Sequence, residues 1–378
     1  MTELLKVLRY FVFGDVHLHH QHTPTLFTIN NLGTMFDNYS SKSPMAELDL
    51  IILNGDLFHR LMYYNHEDTS IISNWAKCLV SFCKTNKIEL RILKGTPSHD
   101  YDQLERLFEP YFCNSVRYIC NIEVEILPTG HSLLYIPDEA PANAALALSI
   151  VDEIFQQKGI SKVDIATMHG AFDYQLPKNV PEGTKLKLHD PEEYLKRVKG
   201  FISINHIHTA SVYKRIVAPG SFDRTAFGEE EPKGGVVFTY DPNGEDTHFE
   251  FIENKNAHTY KRIVLKTTDP VACIELIDKE VAGLRDNSKV QIRGPKGHPL
   301  FTNFEQIQLR YVHLRMDKDI ASSNVINEQA LQEVTATYTP LYIHKDNIAS
   351  LLLEQLSIKN VDIAVLNKAN ELLKELRC

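Results

Sequence analysis

The sequence predicts a layered α/β fold with short buried strands, and three observations carry that expectation. First, Val7–Phe13 is apolar and β-branched and stops at Gly14-Asp15. Leu48–Leu53, broken by Asp49, stops at Asn54-Gly55-Asp56, and Ile88–Leu93 stops at Gly95. Short apolar runs bounded by turn residues are the pattern of strands buried on both faces. Second, Ile71–Cys83 spaces Ile71, Trp75, Leu79 and Phe82 as a helix does. Third, polar residues gather where each run stops, and open α/β sheets build ligand sites at the carboxyl ends of their strands.

Later segments repeat the rhythm. Val163–Met168 leads into His169, Gly200–Ile204 leads into Asn205, and strand-like Gly235–Tyr240 follows the loop Pro219–Arg224. The core, residues 1–255, is expected to end there. Beyond it, strand Lys261–Lys266, helix Val271–Leu284, strand Lys289–Arg293, an apolar-spaced piece near Phe304–Leu309 and strand Tyr311–Met316 suggest a small α+β module over 256–320. From Asn327 to Cys378 the spacing is helical, with Ile348, Leu351, Leu352 and Leu356 and then Ile363, Leu366, Leu372, Leu373 and Leu376. Such a segment, 321–378, packs as a hairpin on its own domain or lends its apolar face to another chain.

The bulk numbers fit a soluble protein of two or three domains: 378 residues, 43% hydrophobic and 24% charged. The apolar runs are far short of a membrane span. Charges inside the apolar stretch Met1–Phe13, and the lack of a small-residue cleavage site, argue against a signal peptide. Six cysteines without a Cys-x-x-Cys spacing argue for a reducing compartment, hence a cytoplasmic location. The formal net charge of −9 weighs against nucleic acid as a partner without excluding it, because local charge and bound ions decide phosphate contacts.

The polar residues form five ordered clusters: Asp15-Val16-His17, Gly55–His59, Gly95–Asp100, His169-Gly170 and Asn205–His208. Asp15 and His17 lie two apart on a segment expected to be extended, so both side chains face one way. Gly55 lets the backbone turn sharply and leaves room for Asp56 to bridge two ions. His206 and His208 offer one imidazole to each. Carboxylate and imidazole without thiolate suit manganese, iron or zinc. Two such ions, about 3.5–4 Å apart, clamp a phosphate and generate a hydroxide for in-line attack. His99 stands outside these pairs, with Asp100 beside it to orient it. A positioned histidine near a scissile phosphate serves transition-state stabilisation or protonation of the leaving oxygen.

These ordered clusters resemble the calcineurin-like metallophosphoesterase superfamily. Gly55-Asp56-Leu57-Phe58-His59, Ala218–Arg224 and Phe227-Gly228-Glu229-Glu230 resemble its DNA-repair branch, the SbcD-type, meiotic-recombination-type nucleases. The resemblance covers residues 8–255 well and the remainder in layout only. It implies a four-layer sandwich, two central β-sheets flanked by helices, with a capping domain and C-terminal helices that bind an SbcC-type coiled-coil ATPase. By the same resemblance Asp15, His17, Asp56 and His208 hold one ion and Asp56, His169 and His206 the other, with manganese as the expected metal. His99 is the implied catalytic histidine, supported by Asp100, and His59 lies near the substrate phosphate. The implied activity is exonuclease and endonuclease cleavage of DNA ends in repair or recombination, by a homodimer, in the cytoplasm (a host's, for a bacteriophage protein). A small-molecule phosphodiesterase or phosphatase, and a weakly active DNA-end-binding scaffold, are the alternatives.

Two positions depart from the family pattern. Ser98 stands where the family has a metal-binding Asn, within a stretch two residues longer, so Ser98, Thr96 or a water takes that place. Asn205 replaces the usual Gly, a change made mild by the tolerance of Asn for left-handed backbone angles. In the capping module Lys289, Arg293, Lys296 and His298 are candidates to meet phosphates.

Overall fold

The first apolar run forms strand β1 (Leu8–Phe13), whose alternate side chains face different layers. The structure is a computed structural model that describes residues 5–40, 47–63, 65–138, 143–176, 187–244 and 246–321. The chain divides into units Met1–Glu328 and Gln329–Cys378, and the expected C-terminal helices lie outside the described residues.

After β1 come α1 (Thr25–Ser40), β2 (Leu50–Asn54), α2 (Asp68–Asn86), β3 (Glu89–Leu93), α3 (Pro97–Asp100), α4 (Gln103–Phe108) and β4 (Val116–Ile119). The chain then crosses to a second sheet through β5 (Glu123–Ile126), β6 (Ser132–Ile136), α5 (Ala144–Lys158), β7 (Ile165–Phe172), β8 (Leu188–His189), α6 (Pro191–Arg197), β9 (Ile202–His206), β10 (Ser211–Tyr213) and β11 (Ile216–Ala218). It returns to the first sheet with β12 (Gly234–Tyr240) and β13 (His248–Glu253). The strand orders are β13-β12-β1-β2-β3-β4 and β10-β11-β9-β7-β6-β5, with β8 beside β7. Strands β1 to β4 run parallel, and the antiparallel β12 and β13 complete that sheet on the β1 side.

Side-chain alternation turns these sheets into four layers. Phe11, Phe13, Ile51 and Leu53 pack with Leu32 of α1 and Ile72, Ala76 and Leu79 of α2. Their neighbours Tyr10, Val12, Leu50 and Ile52 point the other way, onto Leu133, Tyr135, Ile165 and Phe201 of the second sheet. On the far face, Leu134, Ile136, Met168 and Ile204 meet Val151 and Phe155 of α5 and Tyr194 of α6. Helix, sheet, sheet, helix is the arrangement that the resemblance implies. Each fully buried side chain of this kind contributes roughly 1.5–3 kcal/mol.

A further parallel sheet, β14 (Tyr260–Val264), β15 (Lys289–Pro295) and β16 (Arg315–Ala321), packs with α7 (Pro270–Val281), α8 (Pro299–Thr302) and α9 (Phe304–Arg310) around its own apolar cluster. Its last strand lies later than Tyr311–Met316, because Tyr311 caps α9 by donating its N–H to Ile307 and residues 311–314 make the turn. The basic candidates here are mostly committed to structure. His298 is buried, accepting the Leu300 N–H at the start of α8 and bonding the Thr267 carbonyl, while Lys289 and Arg293 face Asp317 and Asp319. Among these four, Lys296 is the exposed one.

Among the described residues no helix is long and apolar enough to cross a membrane.

Candidate metal centre

The carboxyl ends of β1, β2 and β3 and the strands β7 and β9 converge where the two sheets meet. Two ligand groups result, Asp15 with His17 and His208, and Asp56 with His169 and His206, each with ligand atoms within 4.8 Å of one another. The groups abut, since His169 Nε2 lies 3.3 Å from Asp56 Oδ2 and 4.0 Å from Asp15 Oδ1.

The backbone works to present these side chains. Asp15 (φ 47°), His17 (φ 53°), Asp56 (φ 48°) and His206 (φ 119°) all have positive φ without being glycine. Asp15 and His17 therefore reach one site through a left-handed turn, and the extended segment expected from their spacing is corrected. Such residues cost of order 1–3 kcal/mol each and persist where surrounding structure over-determines them. The carbonyl of Asp56 does so by accepting the N–H of Val16 and of His17, at 2.9 and 3.1 Å. Gly55 has φ 78°, and a side chain there would run into the His169 ring. His169 and His206 lie inside their strands instead of beyond them, on neighbouring rungs: His169 pairs with Asn205 and Gly170 with His206.

The donor set fits a cation. Asp15 Oδ1 and His17 Nδ1 are buried and have no hydrogen-bond partner, an arrangement costly unless something else satisfies them, and buried His169 Nε2 faces only carboxylate oxygens, Asp56 at 3.3 Å and Asp15 at 4.0 Å. His17 Nε2 and His208 Nε2 face each other at 3.0 Å. The outer nitrogens are oriented as metal-bound imidazoles usually are: His169 Nδ1 bonds the Asn54 carbonyl at 2.9 Å, and His208 Nδ1 bonds Glu229 Oε1 at 2.8 Å. Charge follows geometry. Burial opposes ionisation of Asp56, but His169 beside it holds the carboxyl well below the usual carboxylate range. Burial likewise works against a charged His169, yet Asp56 and Asp15 carry it up to about 10. Burial, with His208 adjacent, pushes His17 well below the ordinary imidazole range, so the ring is held neutral with one nitrogen free as a lone pair.

The third cluster differs from expectation in two ways. Ser98 is exposed on α3. The hydroxyl at the second ligand group is that of Thr96, whose Oγ1 donates to Asp56 Oδ2 at 3.0 Å and lies 3.3 Å from His206 Nδ1. Pro97 explains this, because it starts α3 and turns the following side chain outward with the helix. The Asp100 carboxylate does not orient His99. It is fully buried and accepts the backbone N–H groups of Asp56, Phe58 and Gly95 at 3.0, 3.2 and 2.9 Å, tying the second and third clusters together. His99 is held by its Nδ1 on the His59 carbonyl at 2.6 Å, with its ring 4.8 Å from that of His17. His59 joins His17 and His99 in a three-histidine group beside the ligands.

Asn205 is also corrected in its reason. It is absent from the positive-φ residues, and its buried side chain acts through hydrogen bonds, donating to Asp15 Oδ2 and the Gly220 carbonyl at 3.0 Å each. It also accepts from Asn54 Nδ2 at 2.9 Å, while Asn54 Oδ1 takes a bond from Thr167. Of the groups offered for the missing Asn, Thr96 is the one the structure places there, whereas sequence spacing missed Asn54 and Lys233, whose buried ammonium bonds the His208 carbonyl and Glu231. Asn54 stands directly before Gly55 at a strand end, the one signal that could have singled it out.

No protein-family model matches this sequence, nor does any curated protein. Solved structures resemble it in shape. A Thermus thermophilus protein, TT1561, has a TM-score of 0.37 at 11% identity over 65% of this chain and 100% of its own. Purple acid phosphatase PPD1 from yellow lupin (Lupinus luteus) seeds has a TM-score of 0.36 at 10% identity, over 62% of this chain and 49% of its own.

Proposed function

We propose that this chain is a metal-dependent phosphodiester hydrolase of the calcineurin-like type, and within it a manganese-activated DNA nuclease, exonuclease and endonuclease, that works with an SbcC-type ATPase. The observation that carries the hydrolase reading is the pair of abutting groups, Asp15/His17/His208 and Asp56/His169/His206. The motifs Gly55–His59 and Ala218–Arg224 support the nuclease branch. Two divalent ions held by these residues would supply Lewis acidity toward the phosphate and a hydroxide nucleophile at neutral pH.

The chain's own residues do the rest. Nδ1 of His99 is engaged by the His59 carbonyl, which leaves Nε2 to exchange a proton with the leaving oxygen. Asp100 fixes the loop on which His99 sits. Glu229 and Asn54 set the tautomers of His208 and His169, and Asn205 holds Asp15.

A second reading, a small-molecule phosphodiesterase or phosphatase, draws on the net charge of −9. Manganese-loaded protein assayed on linear and hairpin DNA and on a chromogenic phosphodiester separates the two. Cleavage of DNA that is lost in His99→Ala supports the nuclease; turnover of the chromogenic ester with intact DNA favours the small-molecule enzyme. Metal retention without any hydrolysis points to the DNA-end-binding scaffold.

A further inference from the structure

A second set of ligand-type side chains lies behind the loop that carries His17, and none of the roles above uses it. His19, His66 and Asp68 bring one ligand atom each within 4.8 Å of one another. His19 Nδ1 is 2.9 Å and His66 Nδ1 3.6 Å from the same atom, Asp68 Oδ2. The two rings stand 4.3 Å apart at 74°. A four-coordinate ion with metal–nitrogen bonds of about 2.0–2.1 Å separates its ligand atoms by roughly 3.4 Å. The observed separations bracket that edge.

His19 is nearly buried and adopts φ 62°, a left-handed conformation unusual for a residue with a side chain, and that conformation delivers its ring to Asp68. Thr25 Oγ1 donates to Asp68 Oδ2 at 2.7 Å and accepts the His19 N–H at 3.2 Å, so one side chain fixes both the carboxylate oxygen and the backbone that carries His19. His66 Nδ1 accepts the Asp68 N–H at 3.1 Å, a neutral bond that a metal–nitrogen bond replaces. The His66 side chain is 38% exposed, which leaves a solvent-facing position for a fourth ligand.

We propose that His19, His66 and Asp68 form a separate mononuclear site for zinc, completed by water. Two imidazoles and one carboxylate at tetrahedral separations suit zinc over magnesium or calcium, which take oxygen-rich octahedral or larger shells. An ion there ties the loop after β1 to the first turn of α2 and so braces the backbone two residues beyond His17. This site stands apart from the phosphoesterase centre and does not depend on it.

Metal-stripped full-length wild type, His66→Ala, Asp68→Asn and Asp56→Ala are loaded with zinc and desalted, and zinc per chain and the thermal midpoint are measured. His66→Ala is a change at a half-exposed side chain, and Asp68→Asn preserves an acceptor for Thr25, so both are expected to fold. The proposal requires each of these two to hold one zinc fewer than wild type and to lose part of the zinc-dependent rise in Tm, while Asp56→Ala keeps the ion that His66 holds. Equal zinc content in wild type, His66→Ala and Asp68→Asn would overturn it and leave a hydrogen-bonded staple. That result leaves the phosphoesterase reading intact; an Asp56→Ala protein with unchanged zinc content and hydrolysis would contradict that reading and leave this one standing.

Discussion

At the scale of single residues, Glu229 accepts from the outer nitrogen of His208, with Thr225 and Lys233 bonding its carboxylate in turn. Replacing such a partner typically lowers metal affinity by about 10–100-fold. Glu229→Gln is therefore expected to weaken one of two manganese-binding steps by about that factor in a calorimetric titration. His99 makes a contrasting prediction: His99→Ala loses roughly 10²–10⁴-fold in hydrolysis with both ions retained. Unchanged turnover would remove His99 from the mechanism. The ligand residues were legible in the sequence because five aspartate- and histidine-bearing clusters follow apolar runs in a fixed order, each weak alone and strong as a set. Their supports were not, since Asn54 and Asn205 act through hydrogen bonds that no spacing records. Ser98 shows the same limit, because a helix begun by Pro97 decides which hydroxyl faces Asp56 and His206.

At the scale of elements, two buried charges join segments far apart in sequence. Arg91 of β3 reaches across to β5, giving Glu125 two bonds at 2.8 and 2.7 Å and Glu89 one at 2.8 Å, with its own side chain almost wholly buried. Removing one partner of such a pair costs about 3–5 kcal/mol, because the other charge is left uncompensated. Glu125 keeps Arg117 at 3.0 Å and the Tyr135 hydroxyl, so Arg91→Ala is expected to lose stability below that scale, by about 1–3 kcal/mol in denaturant unfolding. Asp164, just ahead of β7, makes a pH prediction. Burial raises its pKa, but the Ser132 N–H, Lys199 and the Ser132 hydroxyl outweigh it and hold the carboxyl below its ordinary value of 3.8. A depressed carboxylate stabilises the fold fully above its unfolded pKa and loses that stabilisation as pH falls through the folded one. The stability gap between wild type and Asp164→Asn should thus be constant near neutrality and shrink below about pH 4. A gap that widens on acidification would contradict the assignment.

The strands that carry ligands were readable because each is a short apolar run with a polar stop. Strands β4 and β5 carry mixed burial, and the short β10 is not fully buried at any position, so no simple apolar run marks them. The strand expected at Tyr311–Met316 slipped because Tyr311 and Leu314 are buried as part of a helix end and turn, and apolar spacing alone does not separate those from a strand.

At the scale of the whole molecule, the site exists because two sheets stack. Tyr10, Val12 and Leu50 meet the second sheet through apolar contact, whereas at the carboxyl end the junction becomes the polar chain Asn54–Thr167–Ser203 and Asn205. Each sheet contributes to both ligand groups, so hydrolysis and folding of the stack are expected to be lost together on heating. The proposed ATPase partner belongs to this scale too. Leu352→Asp with Leu356→Asp in the full chain is expected to abolish co-purification with a coiled-coil ATPase while metal-dependent hydrolysis of a small phosphodiester persists. Retained co-purification would place the ATPase contact elsewhere.

The bridging role that the family resemblance gives Asp56 is most directly tested by electron paramagnetic resonance of the manganese-loaded protein. The expected result is the spectrum of an exchange-coupled manganese pair, which Asp56→Ala converts to that of isolated ions together with loss of hydrolysis. Isolated-ion signals in the wild type at full loading would contradict a dinuclear centre.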